Sequence, residues 1–124
     1  MTKILLIDDN EDIRRLLDGF LRRKGYDVVL AENGPCGLEL FRQEHPDVIL
    51  LDLNMPGMNG LTVLERIRSR NPGQRVLILT GGATPKMEQQ IRALGVAEIV
   101  KKEFPLDRLV ESLNRLLRPP DSST

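Results

Sequence analysis

The 124-residue sequence is poor in aromatic side chains and in cysteine. It contains no Trp, one Tyr, three Phe and one Cys. The scarcity of aromatic rings removes the stacking platform that single-stranded nucleic-acid binders use. A single Cys excludes an internal disulfide.

The sequence also lacks net charge and long apolar runs. Its 18 basic and 18 acidic residues cancel, so no global field attracts nucleic acid or an anionic membrane. The N-terminal apolar run, residues 4–7, is too short for a signal peptide or a membrane span. We therefore expect a cytoplasmic protein that binds neither nucleic acid nor membrane directly, and whose function depends on local charge.

What the sequence does contain is an alternation of short apolar runs with amphipathic stretches. The runs predict strands, and apolar residues at helical spacing after each run predict a helix. The predicted strands are residues 4–7, 27–31, 48–52, 76–79 and 98–101. The length suits one domain, which we expect over residues 1–118, with 119–124 as a C-terminal tail or the start of a linker.

This alternation predicts an α/β fold, with a five-stranded parallel sheet and five helices on both of its faces. The continuous apolar character of the strands is typical of a sheet that is buried on both sides. We expect the flavodoxin-like strand order 2-1-3-4-5, whose switch point lies between strands one and three. Ligands bind outside the carboxyl ends of the strands at such a point.

Both strands at the predicted switch point end in aspartates. Asp8 and Asp9 follow the first strand, and Asp52 ends the third. Since neighbouring strands lie about 4.8 Å apart, these carboxylates should converge and repel one another. An all-oxygen, solvent-accessible cluster suits Mg²⁺, and the lack of nearby His or Cys argues against zinc.

The fourth and fifth predicted strands add groups that bind anions. Thr80 offers a hydroxyl, and Gly81 leaves backbone N–H groups unobstructed. Lys101 or Lys102 could extend an ammonium over the same crevice. A carboxylate in such a site can attack phosphorus and form an aspartyl phosphate while a metal and a lysine stabilise the developing charge.

These residues give the chain its resemblance to the receiver domains of two-component response regulators, including the chemotaxis regulators. The resemblance covers about residues 3–117. Its motifs are Asp8-Asp9, the run from Asp52 to Gly60, Thr80, and Lys102 with Phe104 and Leu109. Each motif is weakly specific alone, but together, in this order and at strand ends, they are highly specific.

The resemblance implies a role for each site residue. Asp52 would be the phosphoacceptor and a metal ligand, Asp9 a direct Mg²⁺ ligand, and Asp8 an acid that holds metal-bound water. The backbone carbonyl of Asn54 would complete the metal shell. Thr80 and Lys102 would bind phosphoryl oxygens.

The chain departs from the family pattern at two positions near the fifth strand. The family usually has a cis proline after its lysine, but this sequence reads Lys102-Glu103-Phe104. A cis bond before a non-proline residue costs about 2.5–4 kcal/mol, so we expect a trans Lys102–Glu103 bond and some displacement of the lysine, with Lys101 as a substitute. Ile99 occupies the position where the family often has a switching Tyr or Phe, so output should rely more on loop and helix movement.

The function implied by the resemblance is a phosphorylation switch in two-component signalling. The only histidine, His45, falls in a predicted turn, so the phosphoryl group would come from a sensor histidine kinase or a phosphotransfer protein. The expected output surface comprises the fourth helix, fifth strand and fifth helix. It would serve an unknown output protein, or an effector domain if the chain is part of a longer protein. We expect no enzymatic activity beyond the chain's own phosphorylation and dephosphorylation.

Four alternatives remain open on the sequence. Asp8, Asp9 and Asn10 could form only a capped turn. The chain could be a receiver that signals without phosphate. A small aspartyl-phosphate phosphatase would need a second acid two residues after its aspartate, but this chain has Asn54 after Asp52 and Asn10 after Asp8. Such an enzyme usually also has a cap that excludes water, and this chain has too few residues for one. A flavodoxin-like cofactor binder would need aromatic rings and a glycine-rich phosphate loop.

Overall fold

The computed structural model describes residues 2–96, 98–103 and 105–117. Within these residues, five strands alternate with five helices. The strands are β1 (Lys3–Ile7), β2 (Asp27–Ala31), β3 (Val48–Asp52), β4 (Arg75–Thr80) and β5 (Glu98–Lys101). The helices are α1 (Glu11–Arg23), α2 (Gly34–Glu44), α3 (Gly60–Arg70), α4 (Pro85–Ala93) and α5 (Asp107–Leu116). Phe104, one of the residues that carry the resemblance, and the predicted tail 119–124 lie outside the described residues.

All five strands are parallel and lie in the order β2-β1-β3-β4-β5. The predicted fold class and strand order are therefore confirmed. Because β1 pairs with β2 on one edge and with β3 on the other, the chain reverses its direction of winding at β1. This reversal opens the crevice between the carboxyl ends of β1 and β3.

The core consists of two layers, one on each face of the sheet. Successive side chains of a strand point to opposite faces, so Ile4 and Leu6 join the layer beneath α1 and α5, while Leu5 and Ile7 join the layer beneath α2, α3 and α4. Every residue of β3 is buried. A strand buried on both faces is held firmly, which fixes the position of Asp52 at its end.

Four helices begin with a polar side chain that caps the backbone. Asn10, Asn33, Asn59 and Thr84 each accept a hydrogen bond from the backbone N–H three residues later. Such caps stabilise a helix by about 1 kcal/mol each. Asn10, rather than Asp9, caps α1, so the Asp9 carboxylate remains available at the carboxyl edge of the sheet.

The loop between β3 and α3 folds back onto the end of its strand. The Gly60 backbone N–H donates to the carbonyl of Leu53 at 3.1 Å. A Cβ atom at Gly60 would lie 2.5 Å from the backbone oxygen of Asp52, so no side chain fits there. Gly57 adopts a φ of 80°, a left-handed conformation that favours glycine. The glycines thus allow the tight loop that holds Asp52 in place.

Within the described part of the chain, none of the helices has the length and apolar character needed to cross a bilayer.

Candidate functional site

Three carboxylates meet where β1 and β3 end. Each of Asp8, Asp9 and Asp52 places one carboxylate oxygen within 4.8 Å of the other two. Asp8 and Asp52 are 0% and 1% exposed, whereas Asp9 is exposed. The structure therefore brings together the acidic residues that the sequence singled out.

Local hydrogen bonds hold Asp8 in a defined orientation. The backbone N–H of Asn10 donates to Asp8 Oδ1 at 2.9 Å, and Arg14 Nη1 donates to the Asp8 carbonyl at 2.7 Å. The Asp8 backbone N–H donates to the carbonyl of Ala31 at 3.1 Å. Arg14 was missed by sequence reasoning, although its position one helical turn after Asn10 places it on the side of α1 next to the strand end.

Lys102 extends its ammonium between the two buried carboxylates. Lys102 Nζ lies 2.8 Å from Asp8 Oδ2, an ion pair without hydrogen-bond geometry, and 3.0 Å from Asp52 Oδ1. The Lys102 side chain is 11% exposed. Of the two candidate lysines, Lys102 thus occupies the site, while Lys101 is exposed.

The backbone of Lys102 is held beside the end of β4, while the expected displacement of this lysine from the family's usual position stays a prediction. The Lys102 backbone N–H donates to the Thr80 carbonyl at 2.8 Å, which continues the pairing of β5 with β4 beyond the end of the strand. This bond holds the lysine backbone against β4 and lets the side chain reach the acids. A trans Lys102–Glu103 bond stays a prediction.

Burial and charge perturb the proton equilibria of this cluster. Burial, reinforced by repulsion from Asp8, raises the pKa of Asp52 from 3.8 to about 7, although Lys102 and the Asn54 backbone N–H oppose the shift. Burial also acts to lower the pKa of Lys102, but contacts with Asp8 and Asp52 outweigh it and raise that pKa. The lysine stays charged, while Asp52 takes up a proton easily when no additional cation is present.

The donor set fits a hard divalent cation. Asp52 Oδ2 is buried and, among the residues that the structure describes, has no hydrogen-bond donor. An open cavity of about 730 Å³ adjoins it, lined in part by Asp9, Asn54 and Lys102. A buried carboxylate oxygen without a donor is unfavourable unless a cation approaches it. The residues present therefore suit Mg²⁺, which takes oxygen ligands and keeps several waters.

The end of β4 presents a hydroxyl beside this cluster. Thr80 is 2% exposed, and its Oγ1 donates to Asn54 Oδ1 at 3.2 Å. The Gly82 backbone N–H donates to Thr80 Oγ1 at 3.0 Å. Gly81 lines the cavity, and a Cβ atom there would meet nothing within 4 Å. The contact through the Asn54 side chain was not foreseen, because the sequence analysis considered only the Asn54 carbonyl.

Ile99 lies apart from this cluster. It is half-buried in β5 and packs with the core layer beneath α2, α3 and α4. Its backbone is paired in register with Ile78 of β4, two residues before Thr80. The structure thus places an aliphatic side chain at the predicted switch position.

A separate groove lies between α2 and α3. It has a volume of about 480 Å³ and is lined partly by Leu38, Phe41 and Met58. Its charged lining consists of arginines and one acid, Glu39, so it offers no cluster of carboxylates. The chemistry of the molecule therefore lies at the strand ends rather than in this groove.

Comparison with known protein families shows which family has this sequence pattern. The family described as the response regulator receiver domain matches residues 4–114. The chain belongs to the response regulator receiver family. The predicted resemblance is therefore confirmed, and the match includes the positions of the acidic, hydroxyl and lysine groups described above.

Individual relatives of this receiver domain differ in length. Sporulation initiation phosphotransferase F of Bacillus subtilis is 34% identical over 115 residues, which cover 93% of each protein. The probable transcriptional regulatory protein TcrX of Mycobacterium tuberculosis is 36% identical over 117 residues, which cover 93% of this chain but 49% of TcrX. The receiver fold thus occurs both as nearly a whole protein and as part of a longer one.

A solved structure is similar over the same length. The response regulator TrrA of Thermotoga maritima, in complex with Mg²⁺ and BeF, is 35% identical and has a TM-score of 0.80, covering 94% of this chain and 100% of TrrA.

Proposed function

We propose that this receiver domain accepts a phosphoryl group on Asp52 in a Mg²⁺-dependent reaction and thereby switches a signalling surface. The observation that supports this most strongly is the buried Asp52 carboxylate, which faces the cavity beside Asp8, Asp9 and the Lys102 ammonium. The complex of TrrA with Mg²⁺ and BeF shows that a relative of similar sequence binds this pair of ligands.

In the proposed reaction, a carboxylate oxygen of Asp52 attacks the phosphorus of a phosphohistidine or an acyl phosphate. A P–O bond forms to Asp52 while the P–N or P–O bond of the donor breaks, and the leaving group departs with the electron pair. Bound Mg²⁺ would stabilise the negative charge of the phosphoryl oxygens. Asp8, Asp9, Asp52 and the Asn54 carbonyl are the groups that would hold the ion.

The other site residues bind the transferred group. Lys102 Nζ already lies 3.0 Å from Asp52 Oδ1, so a small movement brings it to a phosphoryl oxygen. The Thr80 hydroxyl and the unobstructed backbone at Gly81 supply further donors. Later attack of water on phosphorus breaks the P–O bond to Asp52, releases phosphate and restores the carboxylate. Catalysis is limited to these two steps on the chain itself.

The donor is a sensor histidine kinase or a histidine phosphotransfer protein. The added charge pulls Thr80 and Lys102 towards Asp52, and because both are joined to β4 and β5, the surface formed by α4, β5 and α5 changes with them. That surface contacts an output protein. A fused effector domain would take its place if the chain belongs to a longer protein, as the length of TcrX illustrates.

Phosphorylation can be tested directly by mass spectrometry. The chain is incubated with Mg²⁺ and acetyl phosphate, and its intact mass is compared with that of Asp52→Asn and of the exposed-helix control Asp12→Asn. We expect one phosphoryl adduct on the wild type and on the control, and none on Asp52→Asn. Equal labelling of Asp52→Asn would refute the assignment of Asp52. Continuous release of phosphate from generic phosphomonoesters would instead indicate a phosphatase.

A further inference from the structure

The Thr80 hydroxyl already has two hydrogen-bond partners in this structure. It donates its proton to Asn54 Oδ1 at 3.2 Å and accepts the Gly82 backbone N–H at 3.0 Å. Thr80 is 2% exposed, so water competes little for these bonds. The hydroxyl is thus held in one orientation by the loop that follows Asp52.

A hydroxyl has a single proton to donate. If Thr80 donates that proton to Asn54, it cannot donate it to a phosphoryl oxygen on Asp52. Formation of the second bond therefore requires the first to break. The two bonds represent alternative states of the same group, so any change in one must alter the population of the other.

Asn54 is well placed to hold the hydroxyl. Its backbone N–H donates to Asp52 Oδ1 at 3.1 Å, and the preceding N–H, that of Leu53, donates to the Leu79 carbonyl at 2.9 Å. The backbone that carries the Asn54 amide is therefore tied both to the phosphoacceptor and to β4. The amide oxygen can keep its position while the Thr80 hydroxyl turns.

We propose that Asn54 is a positioning residue whose side chain acts as a latch: it holds the Thr80 hydroxyl in a hydrogen bond in the unphosphorylated state. This bond competes with the one to a phosphoryl oxygen and so lowers the affinity of the site for a phosphoryl group. The proposal depends on the proposed function, because it concerns the response of Thr80 to a phosphoryl group on Asp52. In this role Asn54 opposes switching, in addition to its backbone carbonyl's expected contribution to the metal site.

If Asn54 acts as this latch, removing its side chain should strengthen the binding of a phosphoryl analogue, whereas a merely structural role predicts weaker binding. Asn54→Ala keeps both backbone groups but removes the acceptor, so the Thr80 hydroxyl is free before the phosphoryl analogue binds. A neutral hydrogen bond of this kind corresponds to about a 3- to 10-fold change in an equilibrium constant. Asn54→Ala should therefore bind beryllofluoride about 3- to 10-fold more tightly at a fixed Mg²⁺ concentration. Loss of a merely structural contact would weaken binding.

A double-mutant cycle separates the latch from a direct effect of Asn54 on the ligand. Beryllofluoride affinity is measured by calorimetry for the wild type, Asn54→Ala, Thr80→Val, Thr80→Ser and the two double variants. The gain from Asn54→Ala should persist with Thr80→Ser, which keeps the hydroxyl, and disappear with Thr80→Val, which lacks it. Amide spectra check that each variant is folded and report the Gly82 N–H directly.

Two outcomes overturn the proposal. One is unchanged or weaker binding by Asn54→Ala, and the other is the same gain in the Thr80→Val background. If the wild type itself fails to bind beryllofluoride with Mg²⁺, the proposed function fails instead. The two failures are therefore distinguishable within one set of measurements.

Discussion

The β1–β3 half of the site differs from the β4–β5 half in how firmly its functional groups are held. Asp8 directly follows β1 and Asp52 ends β3, and both residues are buried. Hydrogen bonds with Asn10, Arg14 and Ala31 hold Asp8. The loop after Asp52 is closed by the bond between Gly60 and Leu53. We call this side of the site the rigid half.

The β4–β5 half instead holds its functional groups largely through side-chain contacts with the β1–β3 half. β5 has four residues, and only Val100 of these is buried. The Thr80 hydroxyl is bonded to Asn54, and the Lys102 ammonium to the two acids. We call the β4–β5 side the movable half. In the proposed function, the rigid half carries the phosphoacceptor and the movable half carries the groups that bind the phosphoryl oxygens. Mutations in the two halves should therefore have different consequences.

The largest expected effect is the loss of the Lys102 ammonium. Lys102→Met leaves Asp8 and Asp52 buried without their cation, so we expect the free energy of unfolding in EDTA to fall by about 3 kcal/mol. Added Mg²⁺ should stabilise this variant more than the wild type. Urea unfolding measures both effects.

Lys101→Met is the matched control, because Lys101 is an exposed neighbour. Its unfolding free energy should stay within about 0.5 kcal/mol of the wild type. If Lys102→Met and Lys101→Met lost the same amount of unfolding free energy, the ion pairs of Lys102 with Asp8 and Asp52 would not stabilise the fold.

The next largest effect concerns the rigid half and its metal. Asp9 is exposed, so Asp9→Asn should fold normally while it removes a ligand, and the affinity for Mg²⁺ should fall about 10- to 100-fold. Calorimetric titration with Mg²⁺ measures the change. Asp12→Asn removes one charge nearby but no carboxylate of the cluster, so a similar loss there would show that only net charge matters.

A smaller effect follows from the proton equilibrium of Asp52. Its pKa in the folded protein is raised from 3.8 to about 7, so the folded state binds more protons than the unfolded state in this window. The associated stability is fully present below pH 3.8 and is lost as the pH rises towards about 7. Asp52→Asn stays neutral, so in EDTA it should be clearly more stable than the wild type at pH 8 and equal to it near pH 3.5.

Urea unfolding at several pH values tests this expectation. Added Mg²⁺ should make the wild type more stable than Asp52→Asn at pH 8, because only the wild type keeps the carboxylate ligand. A stability difference that is independent of pH would show that Asp52 is charged throughout and that the rigid half tolerates the charge without a metal.

The sequence predicted the rigid half better than the movable half, for a physical reason. Burial on both faces imposes a continuous apolar run, so the ends of β1 and β3, and with them Asp8 and Asp52, could be read directly. Strand order followed from the alternation of elements. The contacts of Thr80, Asn54 and Lys102 depend on side-chain rotamers and on one backbone bond between β4 and β5, which leave no periodic signal. Arg14, whose guanidinium binds the Asp8 carbonyl in the rigid half, was missed for the same reason, because that contact also depends on a side-chain rotamer.

The smallest effect should come from the aliphatic residue at the edge of the movable half. Ile99 is half-buried, so Ile99→Val removes one methylene and should lower the unfolding free energy by at most about 1 kcal/mol. If Thr80 and Lys102 carry the response without Ile99, the affinity for beryllofluoride should stay within about twofold of the wild type. Val100, which faces the opposite core layer, is the control: Val100→Ala should cost more stability and leave that affinity equally unchanged. A change in beryllofluoride affinity of more than about fivefold that is confined to Ile99→Val would show that this side chain takes part in the switch, because a loss of packing alone would affect Val100→Ala at least as strongly.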